Sequence, residues 1–323
     1  YGSVMQGRQS ERQNFVDRIK AVLTSLGMDE ELSFAFTHPS MFDKLNIPAD
    51  SELRKAIPIM NPLTDEYPLV RTTLLSSIFE NTARNFSRKN EDIRLFEVAP
   101  VFYPKALPVT EQPDEVLKLA GLITGRRSSV GWNQSNELVD FYDLKGIVEE
   151  LLANLSISKY TVETGEHYAM HPGKTAVFKK GREVIATLGE VHPAVAEALG
   201  ITKKMYIFEM DVATLMKYTA LNFHYEALPK YPAISRDLAV LVDAAVEAGA
   251  IEKTIAKNAG KHFKGVCLFD VYTGKQIGEG KKSLAFTMQF QSKDKTLTDE
   301  EADTAFQNIL TAVQKEYGAE LRA

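Results

Sequence analysis

Ser283-Leu-Ala-Phe-Thr-Met-Gln-Phe290 alternates large apolar side chains with small or polar ones, the two-residue period of a strand with one buried face. Leu284, Phe286, Met288 and Phe290 supply the core side, so Ser283, Ala285, Thr287 and Gln289 point away from it. Working outward, residues 236–242 read as a partner strand with Leu238, Val240 and Val242 inward and Ala239 outward. Residues 246–259 predict a helix, with Ile251 and Ile255 one turn apart. Residues 266–272 form another strand, joined to the quoted one by a glycine-rich, lysine-bearing loop over 273–282. A second helix opens at Thr298, whose hydroxyl can cap it while Glu301 reaches back, a capping box. Phe306, Ile309, Leu310 and Val313 line its inner face, and residues 319–322 close as a last strand. The order βαββαβ is the ferredoxin-like arrangement, in which two helices cover one sheet face and leave the other free.

The preceding residues are less regular. Residues 10–26 carry Phe15, Ile19, Val22, Leu23 and Leu26 at helical spacing, with Gly27 as a stop. Five prolines between 39 and 68 predict mostly loop and short strand there. Residues 69–88 read as helix, 93–103 and 116–124 as strands, and 143–155 as an amphipathic helix. Residues 177–191 read as a hairpin turning at Lys180-Gly181, and 205–212 as a further strand. Strands and helices mix without regular alternation, which makes the class α+β rather than α/β. Pro229 and Pro232 mark a linker, giving domains over 1–222 and 223–323.

The chain has 323 residues, 44% hydrophobic and 25% charged, enough for each domain to bury its own core. No stretch approaches the roughly 18 apolar residues of a membrane helix, so no membrane partner is expected. The single cysteine, Cys267, excludes an internal disulfide and a cysteine-based zinc site and suits a cytoplasmic location. The opening residues from Tyr1 have no apolar signal core and read like the middle of a longer chain. A net charge of −5 excludes a protein that coats nucleic acid by charge, so any RNA binding must be local and shaped.

The free face of the second domain has that local chemistry. If Cys267, Phe269 and Val271 face the helices, then Asp270 and Tyr272 join Ala239 and Ser283 on the open side. An aromatic ring stacks on a base, and a carboxylate and a hydroxyl bond its edges. Lys275, Lys281 and Lys282 in the nearby loop are placed to meet phosphates. An exposed tyrosine beside an aspartate is also ordinary protein surface, and the pattern alone leaves both readings open.

Longer motifs narrow the choice. Tyr231-Pro-Ala-Ile-Ser-Arg-Asp-Leu-Ala-Val240, Leu268-Phe-Asp-Val-Tyr-Thr-Gly274, Gly280-Lys-Lys-Ser-Leu-Ala-Phe286 and Lys295-Thr-Leu-Thr-Asp-Glu-Glu301 resemble the ferredoxin-fold anticodon-binding domain of bacterial phenylalanyl-tRNA synthetase beta subunits. Asn61-Pro-Leu63, Val70-Arg-Thr-Thr-Leu-Leu75, Arg94-Leu-Phe-Glu-Val98, Asp143-Leu-Lys-Gly146, His171-Pro-Gly-Lys174 and Gly189-Glu-Val-His-Pro193 look like the class II synthetase-like, catalytic-like domain before it. The resemblance implies that Asp270, Tyr272 and Ser283 meet one anticodon base, the tyrosine by stacking, with Ala239 and Arg322 near the others. It implies a partner, the catalytic alpha subunit, in an (αβ)₂ heterotetramer that charges tRNA-Phe with phenylalanine using ATP. It also implies that the family's editing domain, OB-fold module and magnesium-binding carboxylates fall before Tyr1, so that this stretch holds neither a metal nor a cofactor.

No catalytic residue is expected here. Catalytic relatives of the fold place an arginine after each of two strands to neutralise ATP phosphates. The strand ending near Phe102 runs instead into Tyr103-Pro104. The other carries Glu209-Met-Asp211, with Thr214 where the arginine would stand. His167 and His171 have metal-pair spacing but lack the glutamate of a zincin, and Pro172 follows. Gly278-Glu-Gly-Lys-Lys282 reads as a hairpin turn rather than a phosphate loop, and Gly189-Glu-Val-His-Pro193 as a helix start. The alternatives are a stand-alone class II-like amino-acid-activating enzyme and an RNA-binding regulator outside translation.

Overall fold

The computed structural model describes residues 7–62, 64–220, 225 and 227–322. Contacts divide the chain into two compact units, Tyr1–Phe223 and His224–Ala323. The boundary expected at 222/223 and Leu63 of the quoted Asn61-Pro-Leu63 motif lie outside the described residues.

In the first unit, α1 (Glu11–Ser25) starts from a capping box between Ser10 and Gln13 and buries Phe15, Ile19 and Leu23. There follow β1 (Asp29–Glu30), β2 (Phe36–Thr37), α2 (Ser40–Lys44), β3 (Leu69–Val70), α3 (Leu75–Ser87), β4 (Ile93–Tyr103), β5 (Asp114–Thr124) and α4 (Phe141–Asn154). Then come β6 (Thr161–Thr164), β7 (Met170–Lys180), β8 (Glu183–Val191), α5 (Pro193–Ala198), β9 (Met205–Asp211) and α6 (Val212–Tyr218). Seven strands form one sheet in the order β1-β4-β5-β9-β8-β7-β6. Every neighbouring pair is antiparallel except β1 with β4.

Both faces of this sheet are covered. Alternate residues of β9 feed two separate cores. Tyr206, Phe208 and Met210 pack with α1 and α4, while Met205 and Ile207 pack with α2, α3 and α5. That is why the first four residues of β9, Met205 to Phe208, read as an unbroken apolar run. The proline-rich stretch is mostly loop, as expected, with one short helix: Pro39 stands at the N-cap of α2, and Met41 and Phe42 are buried. One expectation needs correction. The helix expected from residue 69 begins at Leu75. Leu69 and Val70 pair instead with β2, and Arg71 is held by side-chain bonds that a helix would not supply.

Arg71 and Glu97 are both buried, their side chains 2% exposed, and lie 3.0 Å apart. Arg71 Nη1 also donates to Ser33 Oγ at 2.8 Å and Ser77 Oγ at 3.2 Å, and its Nε donates to the Pro100 carbonyl. The Ser33 hydroxyl donates in turn to Glu97. These bonds tie the segment before α3 to β4. Glu31 lies close by and is also buried. Burial pushes its carboxyl up to about 7, with the Glu97 charge adding to the shift and a hydrogen bond from Asn81 opposing it.

The second unit runs β10 (Ile234–Asp243), α7 (Ala248–Asn258), β11 (Phe263–Tyr272), β12 (Lys281–Phe290), α8 (Asp299–Tyr317) and β13 (Glu320–Leu321). Its sheet order is β11-β12-β10-β13, with β12 antiparallel to both of its neighbours. Leu238, Val240, Val242, Leu284, Phe286, Met288 and Phe290 meet Ile251, Ile255, Ile309 and Val313 from the two helices. The capping box of Thr298 and Glu301 forms as expected, and Gly318 ends α8 in the left-handed conformation, φ 60°.

Arg71→Met leaves Glu97 charged and unpaired in the interior, and it is expected to cost about 3–5 kcal/mol. Replacing both partners with apolar residues should recover much of that loss. Urea unfolding of the single and double variants checks this. Glu31 gives a pH signature. Its folded carboxyl lies above the ordinary value of 4.5, so its contribution is favourable at acid pH and is lost as pH climbs from 4.5 through about 7. Glu31→Gln should therefore gain stability relative to the parent between acid and alkaline buffer. An equal parent–variant difference at both pH values would refute the assignment.

Candidate nucleic-acid interface

Residues directly opposite each other in an antiparallel pair share a face, so the register of β12 sorts every side chain of the second unit. Ala285 lies between Ala239 on one side and Asp270 on the other. Ser283 lies between Leu241 and Tyr272, and Leu241 is paired further with Glu320. The Arg322 N–H donates to the Ala239 carbonyl at 2.9 Å, which adds Arg322 to the first row. All five expected residues, Ala239, Asp270, Tyr272, Ser283 and Arg322, thus belong to the face that the helices leave free.

Part of the route to that arrangement was different. Cys267 does not face the helices: it pairs with Thr287 on the open side, and Val266 and Leu268 pack on the core instead. A bulge between Leu268 and Asp270 then shifts the register, leaving Phe269 unpaired and 58% exposed. Beyond the bulge Val271 pairs with Leu284 on the helix side, though it is 52% exposed at the sheet edge. A bulge reverses the alternation of everything after it, and simple parity could not register that.

The lysines are also redistributed. Lys281 and Lys282 belong to β12 rather than to the loop. Lys281, opposite Asp243, is on the open side and pairs with Glu320 at 2.9 Å. Lys282, opposite Val242, is on the helix side. The Lys275 side chain lies outside what is described.

The open face is roofed in its middle. Arg322 reaches back from the far edge strand and sets its Cζ 5.1 Å from the centroid of the Tyr272 ring, a cation–π contact. Beneath this layer Ser283 is only 2% exposed and Ala285 is buried too, whereas Asp270 is exposed. Ser283 therefore faces the open side without being open to solvent. Along the same face, Thr287 Oγ1 donates to Asp237 at 2.7 Å beside the exposed Cys267. The alternation of the sequence placed Thr287 on this face but gave no sign of its bond.

In the first unit, a cavity of about 320 Å³ brings together Thr73, Tyr103, Lys118, Tyr168, Glu209 and Asp211. Glu209 accepts from Thr73 Oγ1 at 3.1 Å and from His167 Nε2 at 2.8 Å. Burial opposes its charge, but the bond and charge of His167, together with Thr73 and Lys118, hold it below the usual carboxylate range. Asp211 is likewise lowered: against burial stand the N–H and hydroxyl of Thr214, which it caps, and Lys118 at 3.2 Å. Tyr103 is pushed up to about 12 by burial and by the charges of Glu209 and Asp211. At neutral pH the lining thus carries two carboxylates and a single lysine, already paired. This cleft does not fit a nucleotide triphosphate, because like charge and desolvation both oppose it.

The other candidates are absorbed by local structure. His171 bonds the Pro172 carbonyl, while His167 is committed to Glu209. Among the described residues no group of three His, Cys, Asp or Glu is placed to hold a metal. His192 caps α5 through Nδ1, accepting from Ala194 N at 3.1 Å.

Comparisons with known proteins agree with these two units. Residues 2–212 match the phenylalanyl tRNA synthetase beta chain CLM domain, and residues 229–322 match the ferredoxin-fold anticodon binding domain. The phenylalanine–tRNA ligase beta subunit of Syntrophotalea carbinolica is 38% identical over 95% of this chain and 38% of its own length. That of Clostridium acetobutylicum is 37% identical over 99% of this chain and 39% of its own length. The chain thus spans about two-fifths of these relatives. The crystal structure of pyrrolysyl-tRNA synthetase from Desulfitobacterium hafniense superposes with a TM-score of 0.50 at 14% identity, covering 64% of this chain and 69% of that one, a likeness of fold. The chain belongs to the phenylalanyl-tRNA synthetase beta chain family and carries its ferredoxin-fold anticodon-binding domain.

Proposed function

We propose that this chain grips the anticodon of tRNA-Phe with its second domain and packs its first, non-catalytic domain against the catalytic alpha subunit of a cytoplasmic (αβ)₂ phenylalanine–tRNA ligase. The observation that carries the reading is the open sheet face on which Asp270, Tyr272, Ser283, Ala239 and Arg322 converge. Tyr272 stacks a splayed base, Asp270 accepts from that base's edge, and Arg322 offers a planar donor fork to neighbouring bases or phosphates. Small Ala239 and Ala285 keep the floor low enough for a base to approach. The buried hydroxyl of Ser283 meets the base only once the roof of side chains moves aside.

ATP, magnesium and phenylalanine belong, in this reading, to the whole ligase and its alpha subunit. The cleft at Glu209 and Asp211 supports that division, since its charge opposes phosphate. Packing against a partner is supported by large apolar side chains that the first unit leaves in solvent, among them Leu32, Phe34 and Trp132.

Tyr272→Ala is expected to weaken binding of tRNA-Phe by about 1–3 kcal/mol, with the thermal unfolding of the chain unchanged. Parent-like affinity would remove the stacking role. The rival reading, a stand-alone amino-acid-activating enzyme, predicts ATP–pyrophosphate exchange with phenylalanine by the purified chain. The expected result is no exchange, and any turnover that follows the protein through purification overturns the division of labour.

A further inference from the structure

Tyr272 ends β11, and the chain continues through Gly274 into a short 3₁₀ turn, Lys275–Ile277. Gly274 has φ −77° and ψ 166°, extended backbone that any residue adopts, so its lack of a side chain is not demanded by conformation. It is demanded by space. A Cβ built on Gly274 would stand 2.0 Å from Tyr272 Oη, 2.2 Å from Cζ and 2.8 Å from Cε1. The hydroxyl end of the ring fills the volume that any other residue would occupy. From across the sheet the Arg322 guanidinium lies over the same ring, 5.1 Å from its centroid.

We propose that Gly274 is a positioning residue for RNA binding: by leaving its side-chain volume empty it seats the Tyr272 ring, and Arg322 holds the seated ring until a base takes up the stack. The inference rests on the anticodon reading and adds to it a residue that makes no contact with RNA. The three nearest atoms that an alanine at 274 would meet all belong to the free end of the Tyr272 side chain, so it turns the ring out of its seat and leaves the β11–β12 pairing and the helices in place. The seated ring is also what keeps Arg322 folded across the face. Displacing it frees the guanidinium, and the cation–π contact goes with it. A base arriving at a ring already oriented loses less freedom on binding than one that must first order the ring.

Two measurements on the full chain test this, with an RNA hairpin carrying the tRNA-Phe anticodon loop as the binding probe. In the RNA-free protein, the Arg322 side-chain protons should show the upfield ring-current shift of a group over an aromatic face. Gly274→Ala should abolish it, as Tyr272→Ala does. In binding, Gly274→Ala should weaken affinity roughly fivefold, within the loss that removing the ring itself causes. In the Tyr272→Ala background the same substitution should change affinity by less than about twofold, since no ring remains to be misplaced. Equal losses in both backgrounds would mean that Gly274 acts through the chain and not the ring, and parent-like binding by Gly274→Ala would also overturn the proposal. If Tyr272→Ala alone leaves RNA binding intact, the anticodon reading fails, while the Arg322 shift still reports whether Gly274 seats the ring.

Discussion

The pairing of β12 with strands on both sides is the constraint on which the binding face depends. Ten consecutive residue pairs lock β12 to β10, and a slip by one residue would exchange Leu284, Phe286 and Met288 with Ser283, Ala285 and Thr287. Burial of four large side chains under α7 and α8 makes that slip prohibitive. The open face inherits its order from the buried one: Ala239, Asp270, Tyr272 and Arg322 are where they are because Leu238, Val240 and Phe286 cannot be elsewhere. The pairing relaxes at the edge strand β11, between Phe263 and Gly265 and again after Leu268, where the change of parity leaves Phe269 exposed. Without the bulge after Leu268, Asp270 and Tyr272 would turn toward the helices.

The two units solve opposite problems with the same kind of antiparallel sheet. In the first, helices cover both faces, so β9 is buried on each side and little of the sheet is left to bind anything. What remains is a cleft at the end of β9, where Glu209 and Asp211 are kept ionised by His167, Thr73, Thr214 and Lys118. The negative charge of this cleft opposes phosphate, and its polar groups are spent on one another. In the second unit only one face is covered, and the bare face is available for a flat, stacking ligand. The proposed division between a non-catalytic unit and a binding unit thus follows how each sheet is dressed.

Within the bare face, the roof over Ser283 changes how the site works. Tyr272 and Arg322 start from strands at opposite edges of the sheet, yet their side chains meet. Strands lie about 4.8 Å apart, so the contact needs two long side chains leaning over the small residues between them. Ala239, Ser283 and Ala285 make that lean possible, and the same small residues keep the face flat. The open face is partly prefolded rather than a set of free side chains.

The sequence by itself determined the α+β class, the βαββαβ order, the capping box at Thr298 and the two-faced character of β12, because each follows from short-range periodicity or cap chemistry. Alternation also turned Ala239, Asp270, Tyr272 and Ser283 to one face, and the motifs at 231–240 and 268–274 pointed to the family, whose resemblance added Arg322. The sequence did not show the bulge at Phe269, since an extra residue in one strand is defined only by its partner. Nor did it show that Lys282 points to the helices, that Ser283 is covered, or that the stretch before α3 is held out of helix by Arg71 and Glu97. These were decided by tertiary structure, for a common reason. Each depends on what stands opposite a residue across a strand or a sheet face, and that neighbour is distant in the chain.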